Sequence, residues 1–229
     1  CIVASGRGPS DQEITFLEEA IPEIKEKFDM ELCLSLGLLT RDQAFRLADA
    51  GVDIINHNLN TSPDYYEKIC STHTFEDRVN TLENVKEAGM KTCSGGIVGM
   101  GEEKEDLAEL AFELREQDPD IAPVNFLIPV PGTPLDNEGD ITTEDSLKAL
   151  CMFRYVLPES DLTISAGREW HLGPAQRKAL KVGTSLFIGD YLTTKGEEAR
   201  EDYEMIEEEG YNIVGYPDKE AANVEPEPV

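Results

Sequence analysis

Positive charge is scarce in this sequence, which has 20 Lys and Arg against 47 Asp and Glu and a formal net charge of −27. A protein that binds a phosphate backbone or an anionic lipid surface needs clustered basic residues. The composition therefore argues against nucleic acid and membrane partners. No apolar run approaches the roughly 20 residues that cross a bilayer, so we expect a soluble, cytoplasmic protein.

The acidic excess has two interpretations. Acidic residues are both scattered and clustered, as in Glu207, Glu208 and Glu209, which is typical of the solvated surface of an ordinary cytosolic protein. Alternatively, the chain is adapted to a salty, halophilic cytoplasm, because molar salt screens charge repulsion within about 3 Å. The second interpretation predicts that thermal stability rises steeply with KCl.

The five cysteines show no disulfide or zinc-ribbon pattern. Their number is odd and no CxxC pair occurs. A site shared by cysteines must therefore be assembled by the fold. Because position one is not Met, we also expect the chain to be a piece of a longer protein.

Short runs rich in Val and Ile alternate with stretches of helical period, which predicts repeated βα units. Thr40 lies where a helix N-cap belongs, Gly51 and Gly89 are placed to end helices, and Pro22 is expected to kink or split the first helix. The predicted helices are 14–28, 44–50, 75–88, 107–117, 143–156, 174–182 and 197–209. The predicted strands are 31–36, 52–56, 91–98, 122–130, 162–165 and 185–188, after a strand end at 1–4.

Repeated βα units favour a parallel sheet with helices outside, because right-handed crossovers cover both faces of the sheet. A (β/α)8 barrel takes ~250 residues, and about six repeats leave two missing. The predicted fold class is therefore α/β, an incomplete (β/α)8 TIM-type barrel whose first strands are missing. We expect the barrel over residues 1–215 and an acidic, Pro-containing tail over 216–229.

Cysteine recurs on three of the predicted strands, as Cys1, Cys33 and Cys93. In parallel β/α folds the functional residues collect at the carboxyl ends of strands. Three thiols converging there suggest a soft metal or an iron–sulfur cluster, although free cysteine also packs as a small buried hydrophobe. A fourth ligand would be needed, and no fourth cysteine lies on a strand.

Other polar residues follow or lie within predicted strands: Asn56, His57, Asn58, Asn125 and Arg168. The asparagines are candidates for ligand binding or for turns, and a buried amide needs a hydrogen-bond partner. The histidine is a metal-ligand candidate but is better explained as a core hydrogen-bonding residue. The glycine-rich segment 95–102 allows a ligand to approach the backbone but lacks a phosphate-loop ending.

Several motifs together resemble biotin synthases, which are radical S-adenosylmethionine enzymes. The motifs are Cys33-Leu34-Ser35-Leu36-Gly37, Asn56-His57-Asn58-Leu59-Asn60-Thr61-Ser62, Cys93-Ser94-Gly95-Gly96-Ile97-Val98-Gly99, Gly132-Thr133-Pro134-Leu135 and Ser165-Ala166-Gly167-Arg168-Glu169. The resemblance runs from Cys1 to about Gly215. It implies a (β/α)8 barrel, a homodimer, and sulfur insertion into dethiobiotin to form biotin.

The resemblance also implies the roles of individual residues. Cys1, Cys33, Cys93 and Arg168 match the ligands of a catalytic 2Fe-2S cluster that donates sulfur. Asn56 and Asn125 match positions that hold the ureido ring of dethiobiotin. The matches to the S-adenosylmethionine pocket are Ala4, Asn58, Asn60 and Ile97, although some relatives carry Asp at the position of Asn60.

The CxxxCxxC motif that holds the family's 4Fe-4S cluster does not occur in these 229 residues. We expect it upstream of Cys1, and we expect this chain alone to be inactive. The complete enzyme would receive electrons from a donor such as flavodoxin or ferredoxin and abstract hydrogen from dethiobiotin with a 5′-deoxyadenosyl radical. The alternatives are a related radical enzyme with another substrate, and a non-catalytic barrel that serves as a binding module.

Overall fold

The computed structural model describes residues 1–191 and 194–214. Residues 1–187 form one compact unit, and a second begins at residue 188. The first unit contains eight strands: β1 Ile2–Val3, β2 Cys33–Ser35, β3 Ile54–Asn56, β4 Lys91–Cys93, β5 Gly96–Val98, β6 Ile121–Phe126, β7 Asp161–Ile164 and β8 Ser185–Leu186. Its α-helices are α1 Asp11–Lys27, α2 Arg41–Ala50, α3 Pro63–Ile69, α4 Phe75–Glu87, α5 Lys104–Gln117, α6 Thr143–Val156, α7 Arg168–Leu172 and α8 Gln176–Ala179.

All the strands pair in parallel, in the order β1-β2-β3-β4-β6-β7-β8, with β5 also pairing with β6. Most strands that follow one another in the chain therefore lie side by side with a helix between them, whereas β4 and β5 both pair with β6 and are separated only by Ser94 and Gly95. This arrangement confirms the predicted α/β class and is that of an incomplete TIM-type barrel. The register sets Asn56 beside Cys93 and Ile97 beside Asn125, so predicted site residues become neighbours.

The predicted strand 91–98 is wrong in one respect, because it is interrupted at Ser94 and Gly95. A Cβ atom at Gly95 would lie 1.8 Å from the carbonyl oxygen of Pro123 in β6. The chain therefore passes β6 too closely for any side chain at this position. The N–H of Gly95 turns instead to the side-chain oxygen of Asn58, 3.0 Å away.

Helix starts follow the capping residues. Thr40 caps α2 and Gly51 ends it with φ of +100°, as predicted. Helix α1 begins earlier than predicted, because Ser10 and Glu13 form a capping box, and it continues unsplit through Pro22.

Two helices were not predicted, and one was predicted in the wrong form. Helix α3 and the short helix α7 had no counterpart among the predicted elements. The expected helix 174–182 is a 3₁₀ turn, Gly173–Ala175, followed by the single turn α8. These segments are too short to show the apolar period of a helix.

The core of the first unit has two parts. One surrounds Phe126 and Phe153 and fills the space between β5–β8 and helices α5 and α6. The other surrounds Ile14, Leu34 and Leu47 and joins α1 and α2 to β2 and β3. Together these clusters fix the strands that carry the site.

The second unit contains one described helix, α9 Ala199–Glu208, which confirms the predicted helix 197–209. The predicted tail 216–229 lies outside the described residues, and the boundary at 215 stays a prediction. None of the helices in the described part of the chain is long and apolar enough to cross a membrane.

Candidate functional site

Two of the predicted ligand cysteines are in contact. Cys1 lies just before β1 and Cys33 begins β2, and their Sγ atoms are 3.6 Å apart. Two thiolates on one tetrahedral metal ion lie about 3.8 Å apart when each metal–sulfur bond is about 2.3 Å. The spacing of this pair therefore suits a shared metal ion.

The third cysteine, Cys93, ends β4 and is buried. Its sulfur accepts a hydrogen bond from the side-chain amide of Asn56, with the two atoms 3.4 Å apart. Burial raises the pKa of Cys93 to about 12, against the opposing effect of that amide. Burial and then the charge of Cys93 raise the pKa of Cys33 to about 11, so these two sulfurs lie close enough to influence each other.

The raised pKa values of Cys33 and Cys93 follow mainly from burial, which disfavours an uncompensated thiolate. Both thiols are protonated at neutral pH, since a bare thiolate is costly in a buried place. A metal ion that displaces the protons would remove that cost, so the donor set suits a soft metal centre. Across the described residues, however, no cluster of three or more His, Cys, Asp or Glu side chains has the geometry to hold a single metal ion.

Arg168 is fully buried at the start of α7, directly after β7. Its guanidinium donates hydrogen bonds to the side chain of Gln176 and to the carbonyl oxygen of Phe187, and lies 3.3 Å from the carboxylate of Glu169. These contacts hold the guanidinium at the carboxyl ends of β7 and β8. Its role as the fourth cluster ligand stays a prediction.

A cavity of about 210 Å³ opens where β1, β2 and β3 end. Its lining includes Ala4, Asn56, Asn58 and Asn60, so the fold brings together three of the residues predicted for S-adenosylmethionine and one predicted for dethiobiotin. Ile97 joins them through its N–H, which donates to the carbonyl oxygen of Asn60 at 2.9 Å.

The backbone at Asn60 is unusual for a residue with a side chain. Its φ of +73° lies in the left-handed region, which asparagine tolerates better than most residues. This conformation lets Asn60 bridge to Gly96 and donate its N–H to the carbonyl oxygen of Gly95. The cavity wall therefore depends on one asparagine and two glycines in close contact.

The sequence analysis missed Arg78, which reaches the cavity from α4. Its Nη1 atom donates to the carbonyl oxygen of Asn58 at 2.7 Å, and its Nε atom donates to the hydroxyl of Tyr66 at 2.5 Å. Arg7 and His73 line the same cavity, so the guanidinium groups of Arg7 and Arg78 give this strongly acidic chain a cationic wall here. No signal based on strand ends could have found Arg78, because it lies on a helix.

His57 is only 4% exposed and lines the cavity, but its Nε2 atom has no hydrogen-bond partner in the part of the chain that the structure describes. Burial, followed by the charges of Arg78 and His73, lowers the pKa of His57 to about 3. The imidazole is therefore neutral. A buried polar atom without a partner is rare.

Asn125, the second residue predicted for dethiobiotin, is half-buried in β6. Its amide donates to the carbonyl oxygen of Gly96 at 3.2 Å, and its side-chain oxygen accepts the N–H of Ala166 at 3.3 Å. A primary amide has two N–H donors and two lone pairs, so these bonds use half of its capacity.

The glycine-rich segment 95–102 ends in a turn beside a separate cavity of about 420 Å³, and none of the predicted site residues line that cavity. The carboxylate of Glu102 accepts the N–H groups of Gly99 and Met100 at 2.7 and 2.6 Å, while burial raises its pKa. The glycines near this turn are explained by backbone geometry, since Gly99 and Gly101 have φ near +95°.

Comparison with known proteins identifies two family regions. A sequence model described as the Radical SAM superfamily matches residues 1–114, and one described as the Biotin and Thiamin Synthesis associated domain matches residues 123–212. The biotin synthase of Rhodopirellula baltica is 51% identical over 215 residues, which are 94% of this chain and 60% of that protein. The biotin synthase of Bacillus cytotoxicus is 51% identical over 213 residues, 93% of this chain and 64% of that protein.

The chain thus spans about three fifths of the length of these curated relatives. Among solved structures, methylornithine synthase (PylB) matches with a TM-score of 0.71 and 18% identity, covering 87% of this chain and 64% of its own. The FeFe-hydrogenase maturase HydG from Carboxydothermus hydrogenoformans matches with a TM-score of 0.75 and 20% identity, covering 92% of this chain and 54% of its own. These structures support the fold, and the sequence matches show that nearly the whole chain is similar to biotin synthases, with a region similar to the radical S-adenosylmethionine superfamily in its first half.

Proposed function

We propose that this chain is part of a biotin synthase that inserts sulfur into dethiobiotin. Similarity to the radical S-adenosylmethionine superfamily implies S-adenosylmethionine and an iron–sulfur cluster as cofactors. The observation that carries the proposal is the pair of sulfurs 3.6 Å apart, Cys1 and Cys33, on the strands that lead into the 210 Å³ cavity.

The proposed 2Fe-2S cluster would be held by Cys1, Cys33, Cys93 and Arg168. The 3.6 Å spacing of the Cys1 and Cys33 sulfurs supports these two cysteine ligands. When bound, this cluster would supply the sulfur that enters the product. The CxxxCxxC ligands of the proposed 4Fe-4S cluster are not among these 229 residues.

The chain's own residues would bind and orient the two small molecules. Ala4, Asn58, Asn60 and Ile97 are proposed for S-adenosylmethionine, whose polar groups suit the amide-rich wall. Arg78 fixes this wall through its bond to the carbonyl oxygen of Asn58.

Dethiobiotin would be placed by two amides, Asn56 and Asn125, which can donate to and accept from a ureido ring. The contact between the Asn56 amide and the Cys93 sulfur supports this placement, because it would hold the substrate beside the proposed sulfur donor. A homodimer and a reductant such as flavodoxin or ferredoxin complete the proposal.

Anaerobic reconstitution with iron and sulfide tests the cluster. We expect the visible absorbance of a 2Fe-2S centre in the wild-type chain and its loss in Cys33→Ala and Cys93→Ala. Cys151→Ala is the matched control, because Cys151 is exposed on α6 and should leave the absorbance unchanged. A colourless wild-type protein would contradict the proposed cluster.

Dethiobiotin binding separates this proposal from a related enzyme with another substrate. We expect calorimetry to detect binding to the reconstituted chain, and Asn125→Ala to abolish it because one ureido contact is lost. Asn137→Ala, in an exposed loop, is the control. Cluster formation without dethiobiotin binding would favour another substrate, and failure of both would favour a non-catalytic module.

A further inference from the structure

The guanidinium of Arg168 is placed unusually for a basic side chain. Of the Lys and Arg residues in the described part of the chain, Arg168 is the one that is buried. Taking a guanidinium out of water is costly unless its N–H groups find partners. Because a buried ion pair is often no more stabilising than an apolar replacement, the burial of Arg168 points to a role other than stability.

Gln176 is an uncharged partner that reaches this guanidinium from a different helix. Its side-chain oxygen accepts a hydrogen bond from Nη1 of Arg168, and Gln176 is itself buried. The Nε atom of Arg168 donates to the carbonyl oxygen of Phe187 over 3.4 Å, which is long for such a bond. The carboxylate of Glu169 lies 3.3 Å from Nη2 but is partly exposed. Among these contacts, that of Gln176 combines burial with a defined direction.

A break between two short helices brings Gln176 to Arg168. Positions eight residues apart lie about 12 Å apart along one continuous helix. Instead, α7 ends at Leu172, and the 3₁₀ turn Gly173–Ala175 redirects the chain before α8 begins at Gln176. Gly173 has φ of +46°, in the left-handed region that favours glycine. The turn that replaces the predicted helix 174–182 is therefore what lets these two side chains meet.

The backbone before Arg168 is held against β6. Ala166 donates its N–H to the side-chain oxygen of Asn125 at 3.3 Å and accepts the N–H of Phe126 at 2.7 Å. At Gly167, a Cβ atom would lie 2.2 Å from the carbonyl oxygen of Phe126. The backbone therefore places Arg168 next to a residue proposed for dethiobiotin, and the direction of the guanidinium is left to the contacts of its side chain.

We propose that Gln176 is a positioning residue that sets the orientation of the Arg168 guanidinium. A guanidinium is planar, so a contact that fixes one nitrogen fixes the direction of the others. Groups that orient a metal ligand from behind commonly contribute to the affinity of the site. The consequence for the 2Fe-2S cluster rests on the proposed function: without Gln176, Arg168 rotates and helps to hold the cluster less tightly.

Nuclear magnetic resonance of the cluster-free chain, with isotope-labelled arginine, tests the orientation. The Nε–H signal of Arg168 is assigned by its absence from Arg168→Lys. Its exchange with water should be severalfold faster in Gln176→Met, because Met keeps the length of the side chain but has no oxygen to accept from Nη1. Gln176→Asn, one methylene too short, should show the same change. Gln176→Glu retains an acceptor oxygen and should keep the exchange slow.

Gln43→Met is the matched control. Gln43 is also a buried glutamine, and its side chain bonds to the backbone of Thr40 and Pro9. Urea unfolding identifies the folded variants, and if Gln176→Met does not fold, Gln176→Asn is compared with Gln176→Glu. Exchange as slow in the folded Met or Asn variant as in the wild type would overturn the proposal. So would fast exchange in Gln43→Met or Gln176→Glu, because a general loosening of the fold would then explain the effect.

Removal of iron by a chelator tests the consequence for the cluster. After anaerobic reconstitution, the visible absorbance should decay severalfold faster in EDTA for Gln176→Met than for the wild type, and Gln43→Met should match the wild type. Equal decay in all three proteins would refute the link between Gln176 and the cluster. A wild-type chain that forms no cluster would contradict the proposed function alone, since the exchange measurement needs no cofactor.

Discussion

Gly95 is the residue at which one added methyl group would meet the least space, 1.8 Å from the carbonyl oxygen of Pro123. The carbonyl group of Pro123 is part of the backbone of β6 and is not the flexible end of a side chain, so β6 itself would have to move. We expect Gly95→Ala to lower the free energy of unfolding in urea by about 3 kcal/mol or more.

Gly89→Ala is the matched control for that substitution. Gly89 has φ of +83°, but nothing lies within 4 Å of the position of its Cβ. Only the left-handed backbone is strained, at a cost of about 1 kcal/mol. Equal losses in the two variants would show that backbone strain, and not the contact with β6, limits residue 95.

The guanidinium of Arg154 donates hydrogen bonds to several backbone carbonyl groups at once. It donates to the carbonyl oxygens of Leu157, Pro158, Ser160 and Val182 at 2.8–3.1 Å. A lysine ammonium is one compact group and cannot reach oxygens in such different directions. Arg154→Lys should therefore cost about 2 kcal/mol in urea unfolding. Arg200→Lys, an exposed residue paired with Glu204, should leave the unfolding curve in place, and a similar loss there would contradict this explanation.

At the scale of single residues, the sequence pattern singled out the cysteines and asparagines of the candidate site but not the side chains that contact them. Cys33, Cys93 and Asn56 could be singled out because they lie on strands of a βα pattern. Arg78 could not, because its importance comes from contacts with Tyr66 and Asn58 that no local spacing contains.

Among the elements, α1, β2 and β3 are joined by one carboxylate. Asp53 accepts hydrogen bonds from Lys25 Nζ and from the N–H of Leu32, both at 2.7 Å. The bond from Lys25 lowers the pKa of Asp53 below its ordinary value, against the effect of burial. A lowered folded-state pKa means that this stabilisation is present above the unfolded-state pKa and is lost as the pH falls through the folded-state value.

Asp53→Asn should therefore be less stable than the wild type at pH 7, and the difference should shrink as the pH falls below about 5. Urea unfolding at several pH values measures it. A difference that stays constant down to about pH 3 would show that packing, and not the charge of Asp53, accounts for the loss.

Element boundaries could be predicted where local chemistry decides them. Helices α2 and α6 begin after Thr40 and Thr142, whose side chains accept backbone N–H groups. The interruption of the strand 91–98 could not be predicted, because its cause is the distant residue Pro123. Helix α3 was missed because it has seven residues and its buried face is a pair of tyrosines, Tyr65 and Tyr66.

The whole molecule carries a net charge of −27, because its basic side chains are outnumbered by acidic ones. Arg46 alone lies within 4 Å of Asp11, Glu18 and Asp42. If the charge reflects adaptation to salt, KCl from about 0.05 to 1 M should raise the melting temperature steeply, because repulsion is then screened within a few ångströms. Calorimetry with sucrose as an uncharged control measures this. A flat melting temperature would support an ordinary acidic protein.

The chain-ordered sheet has a consequence for how this protein is made. Each strand from β1 to β4, and again from β6 to β8, lies beside its neighbour in sequence. Few strand contacts therefore depend on segments that are distant in the sequence. During synthesis, a strand leaving the ribosome finds its partner already formed and adds to the growing edge. Biogenesis can therefore proceed one βα unit at a time, from the amino terminus onward.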